Sequence, residues 1–381
     1  MMCPTVRALR AALAIAGLIA LAACSSKGDS AKPADLVDFK PSVALKTAWR
    51  VSVGAGRGAP LQPAVLENAI YAASADGALL RVAPATGEVV WRVETGATLT
   101  AGVGSDGFVV AVASRRGELL TFGADGKPGW RVQLTSDALT PPLVGRGVVI
   151  VRTSDQRVTA FEIDSGKRRW TFSRTSPPLT LRTASDLAFG GDNVLAGFPG
   201  GRLVALAVGN GAPRWEAVVA EPKGSTEVER LADVIGPVVV SGRDACAASF
   251  QGRLTCVEQA NGNLRWSREL SGGGGPALDA AGVFAVDSNG TVAAFSRDAG
   301  ASLWRNDKLT NRQLSSPALA RGAVLVGDFK GYLHALRAES GEFAGRLSLD
   351  GAITAPLRPW ADGVIVQTQG GTLAFVTIER L

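Results

Sequence analysis

Beyond residue 41 the chain repeats one pattern of apolar and polar positions. From Ala318 onward, an apolar run (Ala323 to Val326) meets Gly327-Asp328-Phe329-Lys330-Gly331 and then a second apolar run, Tyr332 to Leu336. This predicts two strands around a glycine-containing hairpin. Glu339-Ser340-Gly341 then turns the chain into a further short strand. The unit beginning at Val158 ends the same way, with Asp164-Ser165-Gly166 leading into Lys167-Arg168-Arg169-Trp170. Tryptophans fall at 49, 91, 130, 170, 215, 266 and 304, with gaps of 42, 39, 40, 45, 51 and 38. Glycines 87, 126, 166, 211, 262 and 300 each precede a tryptophan by four residues. Gly341 extends that series, but Gly345 stands where its tryptophan would be, and Trp360 lies outside the register. No stretch after residue 41 carries a helical period over three turns.

Four strands in every ~40 residues is the signature of a β-propeller. Glycine supplies the turn with φ > 0 between third and fourth strands. The tryptophan on the fourth, outer strand is placed to fill the gap to the next blade. Seven sets of three inner strands end near Trp91, Trp130, Trp170, Trp215, Trp266, Trp304 and Gly345. The segment from Ile353 to Ile378 gives three strands without a fourth, and Lys46 to Val53 gives a fourth without its three. Together they make an eighth blade. The reading is therefore all-β: an eight-bladed propeller of four-stranded antiparallel blades over residues 42–381. Pairing the N-terminal strand with the C-terminal blade closes the ring and removes two exposed sheet edges.

The first 41 residues follow another logic. Arg7 and Arg10 precede Ala11 to Ala23, thirteen residues without charge. That is too short for a helix to cross a ~30 Å hydrocarbon core, so residues 1–23 read as a secretory signal peptide. The run Leu21-Ala22-Ala23-Cys24 resembles a bacterial lipobox. The resemblance implies cleavage before Cys24, lipid on its sulfur, and anchoring by two or three acyl chains. Ser25 in the second mature position then implies the periplasmic face of the outer membrane. Residues 24–41 are polar and read as a lipidated cysteine and flexible tether. Removing residues 1–23 lowers the formal charge from +6 to +4, spread without a basic tract, which argues against nucleic-acid binding.

Ile163-Asp164-Ser165-Gly166-Lys167-Arg168-Arg169-Trp170 looks like the tryptophan-docking motif of PQQ-type quinoprotein propellers, which reports fold and not function. Two segments are more specific. Leu179-Thr180-Leu181-Arg182 and the run from Gly224 to Asp233 resemble the BamB family, lipoproteins of the outer-membrane β-barrel assembly machinery. The stretch from Val324 to His334 is similar to that family's penultimate blade. The resemblance spans the whole mature chain. It implies a non-enzymatic scaffold that binds the periplasmic POTRA domains of BamA, meets the other assembly lipoproteins indirectly and assists unfolded outer-membrane proteins. Many relatives carry a second acidic residue two positions after Asp233; here that position is Ile235.

The residues themselves point to the same place. The gaps 170→215 and 215→266 are the two longest, and their surplus falls in links between blades, where binding residues tend to sit. Such links emerge on one face of a propeller. Leu179 and Leu181 alternate with Thr180 and point the same way if the segment is extended. Arg182 then reaches a carboxylate at the rim. Leu179, Leu181, Arg182, Glu227, Arg230 and Asp233 are the candidate partner-binding residues. The alternatives are that the leucines begin an inner strand as core, and that Glu227, Arg230 and Asp233 form a private salt-bridge cluster.

Catalytic chemistry is sparse. The single histidine, His334, reads as a strand residue and leaves no basis for a histidine-rich metal site or a histidine-based triad. No Cys-x-x-Cys-His attaches a haem, and no vicinal cysteine pair supports a quinoprotein centre. Asp244, Asp287 and Asp328 read as turn residues, so no metal and no cofactor is expected. The competing readings are a PQQ-binding, quinoprotein-like oxidoreductase and a polysaccharide- or peptidoglycan-associated lipoprotein. Cys246 and Cys256 flank Phe250-Gln251-Gly252. If those three form the loop, with Gly252 at its φ > 0 position, the cysteines oppose each other within disulfide range. A two-residue loop would instead put the sulfurs on opposite faces.

Overall fold

The second and third strand of each repeat is apolar at nearly every position because both its faces are covered by neighbouring sheets. Ile70–Ala73 and Val148–Arg152 are buried along their whole length, whereas the outer strand Val89–Glu94 alternates exposed with half-buried positions. In the computed structural model, which describes residues 32–183 and 185–381, the described residues form strands and no helix. The strands make eight sheets, seven of four strands and one of five, arranged as the blades of a propeller. Blades 1 to 7 each use four consecutive antiparallel strands. Blade 8 joins Arg358–Trp360, Gly363–Gln367 and Thr372–Arg380 to the N-terminal strand Val43–Ser52 as its outer member. That last pairing runs from Val43 opposite Arg380 to Ser52 opposite Thr372, with an irregularity between Thr47 and Trp49.

Tryptophan and glycine join seven of the eight seams. The Trp49 indole Nε1 donates to Pro84 O at 2.7 Å, and the Trp170 Nε1 to Val208 O at 2.8 Å. Under each ring lies the repeat glycine of the next blade. A Cβ on Gly87 would sit 2.7 Å from the Trp49 ring, and one on Gly211 2.5 Å from the Trp170 ring. These glycines also hold φ of +75° and +70°, so turn and ring contact impose the same residue twice.

The seam between blades 7 and 8 is built differently. Gly345 takes the tryptophan's place, with Val43 and Leu45 packed against its backbone. Residues 34–41, expected as flexible tether, lie along this seam. Ala34 N donates to Thr310 O at 2.8 Å, and Arg312 returns a bond to Ala34 O at 2.8 Å. Phe39 stacks on Phe343 with ring centroids 5.4 Å apart. The Arg346 guanidinium covers both rings and donates to Val37 O at 3.2 Å. Leu36, Val37 and Phe39 give this otherwise polar segment apolar surface that offsets the cost of ordering it.

Beneath this strap lies a buried polar cluster. Asp328 Oδ1 accepts the backbone N–H groups of Lys330 and Tyr332, both at 2.9 Å. Its Oδ2 faces Arg312 Nε at 2.7 Å and His334 Nε2 at 3.0 Å. Arg346 Nε donates to His334 Nδ1 at 3.3 Å, so the proton of a neutral imidazole sits on Nε2 and points at Asp328. Burial, set against the pull of Asp328, holds the His334 imidazole below its usual value, with Arg346 and Arg312 adding to the effect. Burial alone would raise the Asp328 carboxyl, but the bonds from His334, Tyr332 and Arg312 outweigh it and hold it below the carboxylate range. His334 is thus a packed strand residue, and Asp328 does more than shape its turn.

Cys246 and Cys256 face each other across adjacent strands and are joined as a disulfide with Cα atoms 4.1 Å apart. The left-handed position of their connecting loop is Gln251, at φ 46°, and not Gly252. Gly252 is instead required by close packing, since a Cβ there would meet Ser249 Oγ at 2.1 Å and Ala220 Cβ at 2.7 Å.

Candidate functional site

Seven of the eight links between blades bond through the backbone to the hairpin turn that follows, so links and turns share one face; the link into blade 4 is the exception. Arg115 N donates to Thr98 O, Ser154 N to Asp137 O and Phe250 N to Asp233 O. The two long links leave blade 3 after Ser173 and blade 4 after Val218. Neither Leu179 nor Leu181 begins a strand. Leu179 is 40% exposed, and Leu181 is half-buried at the mouth of the central channel. The reading of both leucines as core is therefore not what this fold adopts.

Asp233 holds this segment in place. It is 3% exposed, and its Oδ2 accepts Leu181 N–H at 2.7 Å while its Oδ1 accepts Gly200 N–H at 3.3 Å. One carboxylate thereby ties the end of the second long link to the middle of the first and to the blade 4 turn. Burial pushes the Asp233 carboxyl up, opposed by those two N–H groups and by the Arg152 charge. Arg152, itself buried, is lowered to about 10 by desolvation and stacks over Phe198 at 4.9 Å. A second tie lies just beyond. Ser185 and Asp186 pair in parallel with Gly236 and Pro237, the bridge that gives blade 5 its fifth strand.

Arg182 reaches a rim carboxylate, Asp137, at 3.0 Å, with its side chain still 81% exposed. Asp137 is held in turn by Ser154 Oγ at 2.6 Å. Glu227 and Arg230 pair with each other on the exposed turn of the second link. That turn is shaped by a residue the sequence reading passed over, Glu229. Its Oε2 accepts Ser225 N–H at 2.7 Å and Thr226 N–H at 3.0 Å, and those bonds hold its carboxyl below the ordinary range. Thr226-x-x-Glu229 is a capping-box spacing, which was the available signal. Val228, at its crest, is 58% exposed. The structure thus unites Leu181 with Asp233, and gives Glu227 and Arg230 to each other.

The channel mouth beside Leu181 is a cavity of about 510 Å³, lined in part by Leu139, Ile235, Phe250, Leu314 and Pro356. Ile235 is buried against this apolar rim. Deeper in, Gln62 bridges Asp186, at 2.8 Å, and Arg358, at 2.7 Å. Burial raises the Asp186 carboxyl and lowers the Arg358 guanidinium. Among the described residues no group of three His, Cys, Asp or Glu could hold a metal. Asp287 at the mouth spends both oxygens on its own turn and on Arg305. The face is built to present side chains on fixed backbone.

Sequence comparison bears on what such a face serves. The family described as "Outer membrane protein assembly factor BamB" matches residues 75–306 and 288–380. The chain belongs to the BamB family. It is 41% identical to the outer membrane protein assembly factor BamB of Bordetella pertussis over 97% of both chains. Its identity to that of Burkholderia pseudomallei is 40%, over 94% of this chain and 96% of the relative. Among solved structures, BamB from Moraxella catarrhalis superposes with a TM-score of 0.80 at 29% identity, covering 87% of this chain and 99% of the other. A quinohemoprotein alcohol dehydrogenase from Comamonas testosteroni reaches 0.71 at 13% identity over 87% of this chain and 76% of its own length, a likeness of fold alone. The BamB relatives are named as outer membrane protein assembly factors.

Proposed function

We propose that the protein is a lipid-anchored periplasmic scaffold of outer-membrane protein assembly that binds the POTRA domains of BamA through the face carrying Leu179, Leu181 and Arg182. The observation that carries this reading is the Leu179–Arg182 segment. It exposes an apolar and a cationic side chain on a backbone that Asp233 fixes from beneath. Ordering of a docking segment before the partner arrives lowers the entropy lost on binding. Leu179 supplies apolar contact and Arg182 a charge that can exchange Asp137 for a partner carboxylate. Glu227 and Arg230 flank the surface, and Asp233 acts by positioning. Cys24, outside the described residues, would carry the lipid that holds the scaffold to the periplasmic face of the outer membrane.

The test is binding of purified POTRA domains to the full chain and to Leu179→Ala and Arg182→Glu variants. Each substitution is expected to weaken binding at least tenfold while the melting temperature stays within about 2 °C of wild type, since both side chains are exposed. Unchanged affinity in both variants would remove the docking role from this face.

A further inference from the structure

Next to Arg182 lies a feature that the docking segment does not use. The hairpin turn of blade 2 reads Arg115-Arg116-Gly117. Both arginines are exposed, and neither has an ion-pair partner among the described residues. None of the other seven blades places two like charges in this turn, and five of them hold Gly, Asp or Asn at its centre. Turn geometry therefore does not ask for arginine. Two adjacent guanidinium groups repel each other, and no carboxylate among the described residues pairs with either.

The backbone of this turn is pinned. Arg115 N donates to Thr98 O at 2.8 Å, and Gln133 Nε2 donates to Arg116 O at 2.9 Å. The turn also abuts the Arg182 pair. A Cβ on Gly117 would lie 3.0 Å from Ser136 O, and Ser136 Oγ bonds Ser154 Oγ at 3.1 Å. Ser154 holds Asp137, which holds Arg182. The nearby carboxylates are otherwise engaged: Asp137 with Ser154 and Arg182, Asp155 with Arg157 and Thr153, and Glu118 with Ser114.

We infer that the docking surface continues from Arg182 onto blade 2, where Arg115 and Arg116 receive carboxylates of an acidic segment of the same protein partner. This rests on the docking reading above. An acidic protein fits better than an anionic membrane. Two basic residues interleaved with Asp137 fall short of the four to eight clustered cations that lipid recognition uses, whereas forked guanidinium groups suit carboxylates. Charges at the rim of an interface act mainly on encounter, so the arginines should govern association rate and its dependence on salt.

The experiment compares the full chain, an Arg115→Glu/Arg116→Glu double variant and Arg182→Glu for binding to purified POTRA domains at low and high salt. The double variant is expected to melt like wild type, associate roughly tenfold more slowly at low salt, and show a flatter salt dependence. Association within twofold of wild type, with Arg182→Glu still impaired, would overturn the inference and leave the docking reading standing. No effect from either variant would remove both. Loss of binding to phosphatidylglycerol vesicles with POTRA binding intact would assign the arginines to the membrane and likewise overturn the inference.

Discussion

Asp233 illustrates a residue that serves a surface without belonging to it. Its two oxygens accept two N–H groups from different segments, Leu181 and Gly200. Burial raises its pKa, so keeping it ionised costs stability, and the return is a fixed loop. Asp233→Asn retains the shape but only one acceptor oxygen, leaving one buried N–H facing an amide NH₂ at a cost of about 1–3 kcal/mol, partly offset by removal of the charge. The expected outcome is a small change in melting temperature, faster hydrogen exchange at Leu181 or Gly200, and POTRA binding weakened about tenfold. Lost binding with unchanged exchange at both amides would mean that Asp233 meets the partner directly.

Between blades, stability depends on ring and glycine as a pair. Gly211→Ala places a Cβ 2.5 Å from the Trp170 ring at a φ of +70°, whereas Gly191→Ala meets nothing within 4 Å at a φ of +55°. The first should lose about 2–4 kcal/mol in denaturant midpoint measurements and the second about 1, because both carry backbone strain and only one adds a clash. Equal losses would show that the ring contact is not what selects glycine. These joints were also what made the fold legible: tryptophan, glycine and apolar runs recur at fixed spacing, so eight blades and the closing strand could be counted from the chain. The candidate loops stood out by their length. What the sequence did not disclose were contacts between distant positions: Asp233 on Leu181, the strap on Arg346, and the packing that claims Gly252 while Gln251 takes the left-handed turn. Such bonds join segments without a shared local pattern, and no period marks them.

At the scale of the whole ring, blade 7 contributes a loss of stability in acid. His334 is fully buried and faces Asp328 and Arg346, with Arg312 beside Asp328 and Tyr332 on its own strand. Its folded pKa is lowered, so the unfolded chain takes up a proton first, near the ordinary imidazole value of ~6.5. Stability from this group is complete above that value and declines as pH falls, by at most ~1.4 kcal/mol per pH unit. Asp328, whose pKa is also lowered, adds a loss in the same direction at more acidic pH, below the ordinary carboxylate value. Wild type should therefore lose more melting temperature between pH 7.5 and 5 than His334→Gln does. Parallel curves would place the acid sensitivity elsewhere.

The closing blade also imposes an order in time. The strand Val43–Ser52 is made among the first and must wait for Thr372–Arg380, nearly the whole chain later, before its edge is satisfied. Pairing of such high sequence separation is slow, and an unpaired edge is open to other strands meanwhile. For a chain that crosses a membrane N-terminus first, the ring cannot shut until the last strand has emerged. Until then such a chain is an open arc with one unpaired edge.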